Sequence, residues 1–565
     1  MTLSFLLSAL VTLPVSAQAI GGGFETLHQF DGFAAGDQMG YYVSGAGDVN
    51  GDGFDDVLMS APLADPGGRL DAGSVYVYSG VDGILLYQWN GAGAGHLFGD
   101  SVSSAGDVNA DGFADIIVGA PDASVGFGMT KNGSIYVYSG ATGLLLKQWS
   151  GFGDYDGFGD SVSGAGDVDG DGYDDVIVGA WATDPGGIGQ AGSAFVYSIA
   201  TSSQLHHWDG TATFDYFGWS VSGAGDVDGD GFDDLVVGAK YADSGGLSKA
   251  GSVFVYSGFH GAQLHRWDGE VAGQKLGTSV SGAGDVNGDG FDDVIMGGDQ
   301  AHLGGVSDTG SAYVYSGVSG TLLHKWAGDL GDYLGWAVSG AGDVNGDGFD
   351  DVIVGSPNAN SGSVFDVGYV HLFSGINGHL LYRWEGASED IRMGQSVAGA
   401  GDVDGDGFAD LIVGANGAAP GGMIDAGSVS VFSFQPYLRP STFTISAATG
   451  GVLNLNLDFP TAAALDLYKI ILSTTGVGPI HFGVDIPLTL DGMVQETFRG
   501  NYPVATHSNL HGALDLNGHA TGSMTFPARL PSALIGKAIY MAAVAYPAGN
   551  LPEYSSSVAA IKIRP

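Results

Sequence analysis

The chain has 565 residues, 101 of them Gly and none Cys, and a formal net charge of −45 at pH 7. So acidic a surface argues against nucleic acid and anionic membranes as partners, and the lack of Cys rules out disulfides as the source of stability. The glycines recur at fixed places, so they punctuate strands and do not signal disorder.

In chain order, residues 3–15 form a short apolar run. Val15-Ser16-Ala17 and Ala17-Gln18-Ala19 then offer small residues for cleavage. Residues 1–19 therefore read as a secretory signal peptide, although no Lys or Arg precedes the run. A buried strand is the alternative. No other stretch approaches the ~20 apolar residues needed to cross a bilayer, so the mature protein is expected to be soluble, secreted or at the cell surface.

From there one phrase, close to G-A-G-D-V-[ND]-x-D-G-[FY]-x-D-[VIL], occurs seven times, with its first Asp at 48, 107, 167, 226, 285, 343 and 402. The intervals are 59, 60, 59, 59, 58 and 59 residues, which marks a repeat architecture. In the sixth repeat the runs are 336–342 (WAVSGAG), 352–355 (VIVG), 368–374 (GYVHLFS) and 380–384 (LLYRW). They alternate or are β-branched and are bounded by Gly, Asn and Asp, which is a strand pattern. Four antiparallel strands per repeat, seven times, predict an all-β protein with a seven-bladed β-propeller.

The fourth run ends in Trp89, Trp149, Trp208, Trp267, Trp326 and Trp384. The last repeat stops after its third run, 427–434, and the missing fourth run stands near the other end of the chain, at 26–30, with Phe30 in phase 59 residues before Trp89. The propeller is therefore expected over 24–434, with the N-terminal strand 24–30 closing blade 7 and removing a free edge. Seven in-phase aromatics read as packing between blades; a ligand platform is the alternative. From 437 onward seven acids balance seven bases, so all the excess charge lies before that point. Runs at 452–457, 468–472 and 539–546 alternate between Gly- and Pro-rich turns, and 437–565 reads as a C-terminal β-sandwich-like domain.

The repeated phrase carries the chemistry. Oxygens at loop positions 1, 3, 5 and 9, with the backbone carbonyl of position 7, converge if the loop curls, and Gly at position 6 permits the turn. The candidate ligands are Asp48, Asn50, Asp52, Phe54 and Asp56 in the first copy and Asp107, Asn109, Asp111, Phe113 and Asp115 in the second. Asp167, Asp169, Asp171, Tyr173 and Asp175 form the third, and Asp226, Asp228, Asp230, Phe232 and Asp234 the fourth. Asp285, Asn287, Asp289, Phe291 and Asp293 form the fifth, and Asp343, Asn345, Asp347, Phe349 and Asp351 the sixth. The seventh is Asp402, Asp404, Asp406, Phe408 and Asp410. Position 12, where an EF-hand needs Glu, holds Met or Val in every copy, so this is a calcium loop within a β-hairpin. Hairpin turn chemistry explains an Asn-Gly or Asp-Gly. It does not explain three or four acids in nine residues, which would repel one another without a cation. Up to seven structural Ca²⁺ are expected, with tighter binding in copies 3, 4 and 7, where position 3 is Asp. Mg²⁺ suits the loop less, because it keeps its waters and demands stricter geometry.

These units resemble FG-GAP repeats, the building blocks of the integrin alpha-type N-terminal β-propeller. The first element appears as Phe98-Gly99, Phe158-Gly159 and Phe217-Gly218, with Met39-Gly40, Leu276-Gly277, Leu334-Gly335 and Met393-Gly394 as variants. The second is Gly119-Ala120-Pro121, with Ser60-Ala61-Pro62 and Gly355-Ser356-Pro357 close to it and looser forms elsewhere. Unlike integrins, this chain carries the acidic loop in all seven repeats and has no integrin leg, membrane helix or cytoplasmic tail, so receptor signalling is not implied. The tail is similar to C-terminal β modules of secreted bacterial FG-GAP proteins. The resemblance implies calcium loops on one propeller face and ligand binding on the other.

On that second face the departures from the repeat are Trp181, Tyr216, Trp219, Lys240 and Tyr241, an aromatic cluster suited to stacking on a sugar or anchoring a protein. Packing of Trp219 and Trp336 inside a blade is the alternative. The leading reading is extracellular recognition or adhesion with a protein or glycan partner. An extracellular polysaccharide- or lipid-acting enzyme is the rival, and a purely structural surface protein the third possibility. The chain shows no H-E-x-x-H or G-x-S-x-G motif. His206, His207, His265 and His324 sit in fourth-strand runs, and His96 and His302 are isolated, so no catalytic residue is assigned.

Overall fold

The computed structural model describes residues 22–125, 130–301 and 308–436 and, between 438 and 564, the backbone of strands alone. The expected signal peptide and His302 lie outside the described residues. Seven four-stranded antiparallel sheets form the blades of a β-propeller. Blade 1 runs Val43–Gly47, Asp56–Ala61, Ser74–Tyr78 and Leu85–Asn90, and the next five follow the same order in sequence. The seventh takes Met393–Gly401, Asp410–Ala415 and Ser428–Pro436 from the last repeat and Gly22–Asp31 as its outer strand. Phe30 lies opposite Val429 there, as Trp89 lies opposite Val75 in blade 1.

Strand composition follows strand environment. Second strands such as Asp115–Ala120 (DIIVGA) are buried along their whole length and read as unbroken apolar runs. Fourth strands such as Leu85–Asn90 alternate between exposed and half-buried, because only one face packs. The hydrophobic cores lie between blades. One joins Leu58, Val75 and Val77 of blade 1 to Phe98, Val102 and Val118 of blade 2. The core across the closure joins Val57, Met59 and Tyr76 of blade 1 to Ile412, Val429 and Val431 of blade 7.

The aromatic that ends each fourth strand stacks on the next blade. Ring centroids are 4.5 Å apart for Trp89–Tyr138 and Trp208–Tyr256, and 4.4 Å for Trp326–Phe373. Phe30 completes the circuit on Tyr78 at 4.2 Å. The Trp89 indole N–H also donates to the Gly143 carbonyl at 3.0 Å. Imidazoles do the same work: His206, His265 and His324 each reach the carbonyl of a glycine in the following blade, Gly258, Gly317 and Gly375. Around the central channel, serine hydroxyls link first strands. The Val162 N–H donates to Ser101 Oγ, and the Val43 N–H donates to Ser396 Oγ, each at 3.0 Å.

Beyond the propeller, strands Gly451–Asp458, Leu467–Ser473 and Ala538–Tyr546 cover the three alternating runs. Gly451–Asp458 belongs to a four-stranded sheet, and the other two to a separate, larger one. Among the described residues no helix is long and apolar enough to cross a membrane.

Candidate functional site

Each acidic loop joins a blade's first strand to its second, so all seven lie at one end of the propeller. The loop curls because its own carboxylates accept backbone N–H groups. Asp167 Oδ1 accepts from Gly170 at 2.7 Å and Asp171 at 3.1 Å, and its Oδ2 accepts from Gly172 at 2.9 Å. Asp169 Oδ1 accepts from Asp171, and Asp171 Oδ1 from Tyr173, both at 3.1 Å. Asp175, fully buried, accepts the Val168 N–H at 3.2 Å. The remaining oxygens turn inward. Carboxylate oxygens of Asp167, Asp169 and Asp175 lie within 4.8 Å of one another, as do those of Asp226, Asp228 and Asp230 and of Asp402, Asp404 and Asp410. These are the three copies with Asp at position 3. Burial, reinforced by the neighbouring Asp169, pushes the Asp175 carboxyl up to about 8. Burial likewise pushes Asp115, Asp234, Asp293 and Asp410 up to about 7 and Asp56 to about 6, and holds Asp351 well above the usual range.

The copies fall into two types. Where position 3 is Asn, its amide donates to the ninth carboxylate: Asn50 to Asp56, Asn109 to Asp115, Asn287 to Asp293 and Asn345 to Asp351, at 2.8–3.3 Å. Position 9 gains a further donor in five copies, the N–H of Gly80, Gly140, Gly258, Gly317 or Gly375 at the end of the third strand. In copies 3 and 7 that place is held by Ile199 and Phe434. There Asp175 Oδ1, Asp410 Oδ1 and Asp402 Oδ1 are buried with no hydrogen-bond partner. Buried anionic oxygens left unpaired are costly. An all-oxygen donor set in a curled loop fits a hard cation such as Ca²⁺.

Sequence reading missed position 8. Asp55, Asp174, Asp292 and Asp350 accept the N–H of the first Asp in the preceding blade's loop, Asp402, Asp107, Asp226 and Asp285, at 2.7–2.9 Å. The signal was available: Asp fills that position in five copies, with Ala114 and Ala409 in the others. The position-7 ring covers the preceding loop so closely that a Cβ on Gly405 would lie 2.4 Å from Phe54. The loops therefore form one linked ring.

The connections between second and third strands, and between blades, lie at the other end. There the structure brings the five expected ligand-face residues together. Trp181 lies 4.6 Å from Tyr216 and 5.4 Å from Trp219, and Tyr216 lies 4.9 Å from Tyr241, between ring centroids. Lys240 Nζ sits 3.0 Å from the Trp219 ring centroid. Burial lowers the Lys240 ammonium to about 7, Asp299 opposing this and Lys275 adding to it. Sequence reading missed Lys249 and Lys275, which each place Nζ 5.2 Å from the Tyr241 ring centroid. Trp219 and Trp336, each directly after the Phe-Gly element, face the central channel and are not enclosed within a blade. With Tyr41, Asp100, Asp160 and Lys240 they line a cavity of about 360 Å³ at its mouth.

Seven blades, each carrying an acidic hairpin at one end, define the class: a repeat β-propeller with acidic loops. Six segments, residues 40–78, 98–138, 217–256, 276–315, 334–373 and 393–432, match the FG-GAP repeat. The blade beginning at Phe158 falls outside those matches but has the same four-stranded form. The chain is similar to integrin alpha-5 of Xenopus laevis, 32% identical over 223 residues, which is 36% of this chain and 20% of that protein. It is also similar to integrin alpha-V of Gallus gallus, 31% identical over 225 residues, 38% of this chain and 21% of that protein. Integrin alpha-4 of Xenopus laevis is 32% identical over 237 residues, 40% of this chain and 22% of that protein. The chain thus spans about a fifth of the length of these relatives. Its propeller is an integrin alpha-like FG-GAP β-propeller.

Proposed function

We propose that this protein is a secreted or cell-surface recognition or adhesion module. Residues 1–19 direct export, the propeller of 24–434 presents a ligand face, and 437–565 forms a C-terminal β-sandwich-like domain. In the seventh loop Asp402, Asp404, Asp406 and Asp410, with the Phe408 carbonyl, would hold one Ca²⁺, and the corresponding residues of the other loops would hold up to six more. Bound calcium supplies positive charge that offsets the clustered carboxylates and so stiffens the ring. The unpaired buried oxygens of Asp175, Asp402 and Asp410 support this.

The observation that carries the recognition reading is the cluster of Trp181, Tyr216, Trp219, Lys240 and Tyr241, which departs from the repeat at the end away from the loops. The partner is an extracellular protein or glycan. A glycan and protein binding screen, run with calcium and again after chelation, tests this. A ligand should appear in calcium and be lost in Trp181→Ala and Tyr241→Ala chains that keep the wild-type melting temperature. A ligand untouched by both substitutions would move recognition off this face.

A further inference from the structure

Before residue 437 the chain has ten Lys and Arg against 55 Asp and Glu. Three of the ten surround one ring: Lys240, Lys249 and Lys275 hold their ammonium nitrogens 5.2–5.3 Å from the centroid of Tyr241. The repeat shows how unusual this is. Lys249 occupies a left-handed position that is Asp71, Asp308, Asp366 and Asp425 in blades 1, 5, 6 and 7, Gln190 in blade 3 and Lys131 in blade 2, where Asp122 pairs with the lysine. Lys275 stands where other blades have Gln38, Leu97, Tyr216, Tyr333 and Arg392, again with positive φ. Lys240 replaces a position held by Pro62, Pro121 and Pro357 in three blades and by Asp299 in the next one. Only blade 4 and its junction with blade 5 place Lys at all three.

None of the three ammonium groups takes part in the ion pairs found among the described residues, Lys131–Asp122, His207–Asp209, Arg266–Asp268 and Lys325–Glu270. Asp243 and Asp215 are engaged elsewhere, and Asp299, which faces Lys240 and Lys275, is buried and also bonds Thr278. Asp243 accepts the Lys249 backbone N–H at 2.7 Å, Asp215 accepts the Ala212 N–H at 3.2 Å, and Asp299 accepts the Thr278 hydroxyl at 2.9 Å. On a chain of such negative charge, Lys249 and Lys275 on one rim, with Lys240 behind them against the Trp219 ring, select an anion. Acids elsewhere on the molecule act weakly there, since screening sets in within about 8 Å at physiological ionic strength.

We propose that the rim around Tyr241 binds an acidic polysaccharide, with uronate carboxylates held by Lys249 and Lys275 and the sugar's C–H face against the half-buried rings of Trp181, Tyr216 and Tyr241. An acidic peptide side chain would use the ammonium groups and leave the rings idle. A pyranose carrying a carboxylate uses both within the same few ångströms. The buried acidic pair Asp100 and Asp160, on the channel side, disfavours a carboxylate there and leaves it to Lys249 and Lys275. This rests on the recognition reading above and names its ligand class.

The test uses the full chain at fixed free calcium and calorimetric titration with three probes: a galacturonic acid hexamer, the same hexamer methyl-esterified, and poly-L-glutamate. The acidic hexamer is expected to bind, more weakly as salt rises. Lys249→Gln and Lys275→Gln, both outside the core, are each expected to weaken it about tenfold, the scale of one charge-assisted hydrogen bond. Unchanged melting temperatures would show that the fold is intact. Because the acidic loops are untouched in these variants, calcium bridging of uronate to the loops would leave the affinity unaltered and so overturn the proposal. Equal binding of the esterified hexamer overturns it too. Equal, lysine-dependent binding of poly-L-glutamate overturns the glycan class in favour of an acidic peptide. A neutral glycan lost in Trp181→Ala but kept in Lys249→Gln overturns the acidic class alone and leaves the recognition reading standing. If neither the three probes nor any ligand in the screen depends on these residues, both readings fall.

Discussion

At position 9 of every acidic loop a carboxylate is withdrawn from water, and what meets its oxygens decides whether the loop is stable without a cation. Asp293 finds the Asn287 amide and the N–H of Val286 and Gly317. Asp410 accepts the Val403 N–H but keeps Oδ1 unpaired, close to Asp402 and Asp404. Asp404→Asn should therefore have opposite effects in two solutions. In chelator the substitution removes one like charge and supplies a donor to Asp410, so the melting temperature should rise, by an amount equivalent to about 1 kcal/mol. In calcium it removes a charged ligand, so the affinity of that loop should fall. Calorimetry with and without Ca²⁺ checks the crossing, and a variant less stable in both solutions would refute it. A second residue, His371, stands on the third strand of blade 6, where other blades have Tyr76, Phe195 or Tyr313. Its Nδ1 is buried without a partner, and burial, aided by Arg383, lowers its pKa to about 4. The unfolded chain takes up that proton below about 6.5, while the folded chain resists it down to about 4. Stability from this residue is thus intact above pH 6.5 and is lost as pH falls toward 4, reaching about 3 kcal/mol. Urea unfolding of wild type and His371→Phe between pH 7.5 and 4.5 should show the wild type losing ground to the variant as pH falls. Parallel curves would refute this.

The elements were legible because the repeat is regular. A run of the form DIIVGA can only be a strand buried on both faces, and Phe30 betrayed its partner by standing one repeat length ahead of Trp89. That strand closes the ring by pairing with Ser428–Pro436, and Phe24 packs 4.8 Å from Trp384 and 5.4 Å from Phe434. Removing residues 22–31 should leave Ser428–Pro436 an open edge, which recruits another chain. Light scattering should then find species larger than those of the intact chain; unchanged size and stability would count against a closing role. Phe30→Ala, which removes the stack on Tyr78 and the ring's packing against the closure core, should cost roughly 2 kcal/mol, less than a fully buried Phe because the ring is only partly buried. The clustering of the loop acids was legible for the same reason, since identical spacing in seven copies sets them apart from ordinary turn residues. What stayed hidden depends on neighbours in space. Asp55 and Asp174 read as further acids until the adjacent blade puts Asp402 and Asp107 beside them. Lys249 and Lys275 come from different connections, and only blade geometry sets both against Tyr241. The unpaired oxygen of Asp175 belongs to a copy in which Ile199, just after the third strand, stands where other blades have glycine.

On the scale of the whole molecule, the seven loops tie the propeller's stability to its charge. The carboxylates sit at one end, and the loops are joined by Asp55–Asp402 and three similar bonds, so repulsion in one loop is felt by its neighbours. Seven Ca²⁺ add fourteen charges and would bring −45 to about −31. If each loop has a Kd of ~10⁻⁴ M, millimolar calcium stabilises it by about 1.4 kcal/mol, and seven together by on the order of 10 kcal/mol, comparable to the net stability of a domain. Chelation should therefore lower the melting temperature by tens of degrees, not by a few. Repulsion and coordination can then be separated with salt. Sodium chloride screens carboxylates from one another and should recover part of the loss in the calcium-free protein. It should do little for the calcium-loaded one, in which the charges are already offset. Magnesium at the same concentration should recover less than calcium, since it gives up its waters reluctantly and the curled loop cannot supply a strict octahedron. Thermal unfolding in calcium and in chelator, each with and without added salt, and in magnesium gives the answer in one experiment. A melting temperature indifferent to chelator at low salt would mean that the hydrogen bonds within each loop suffice, and that the ring of acids needs no cation to stand.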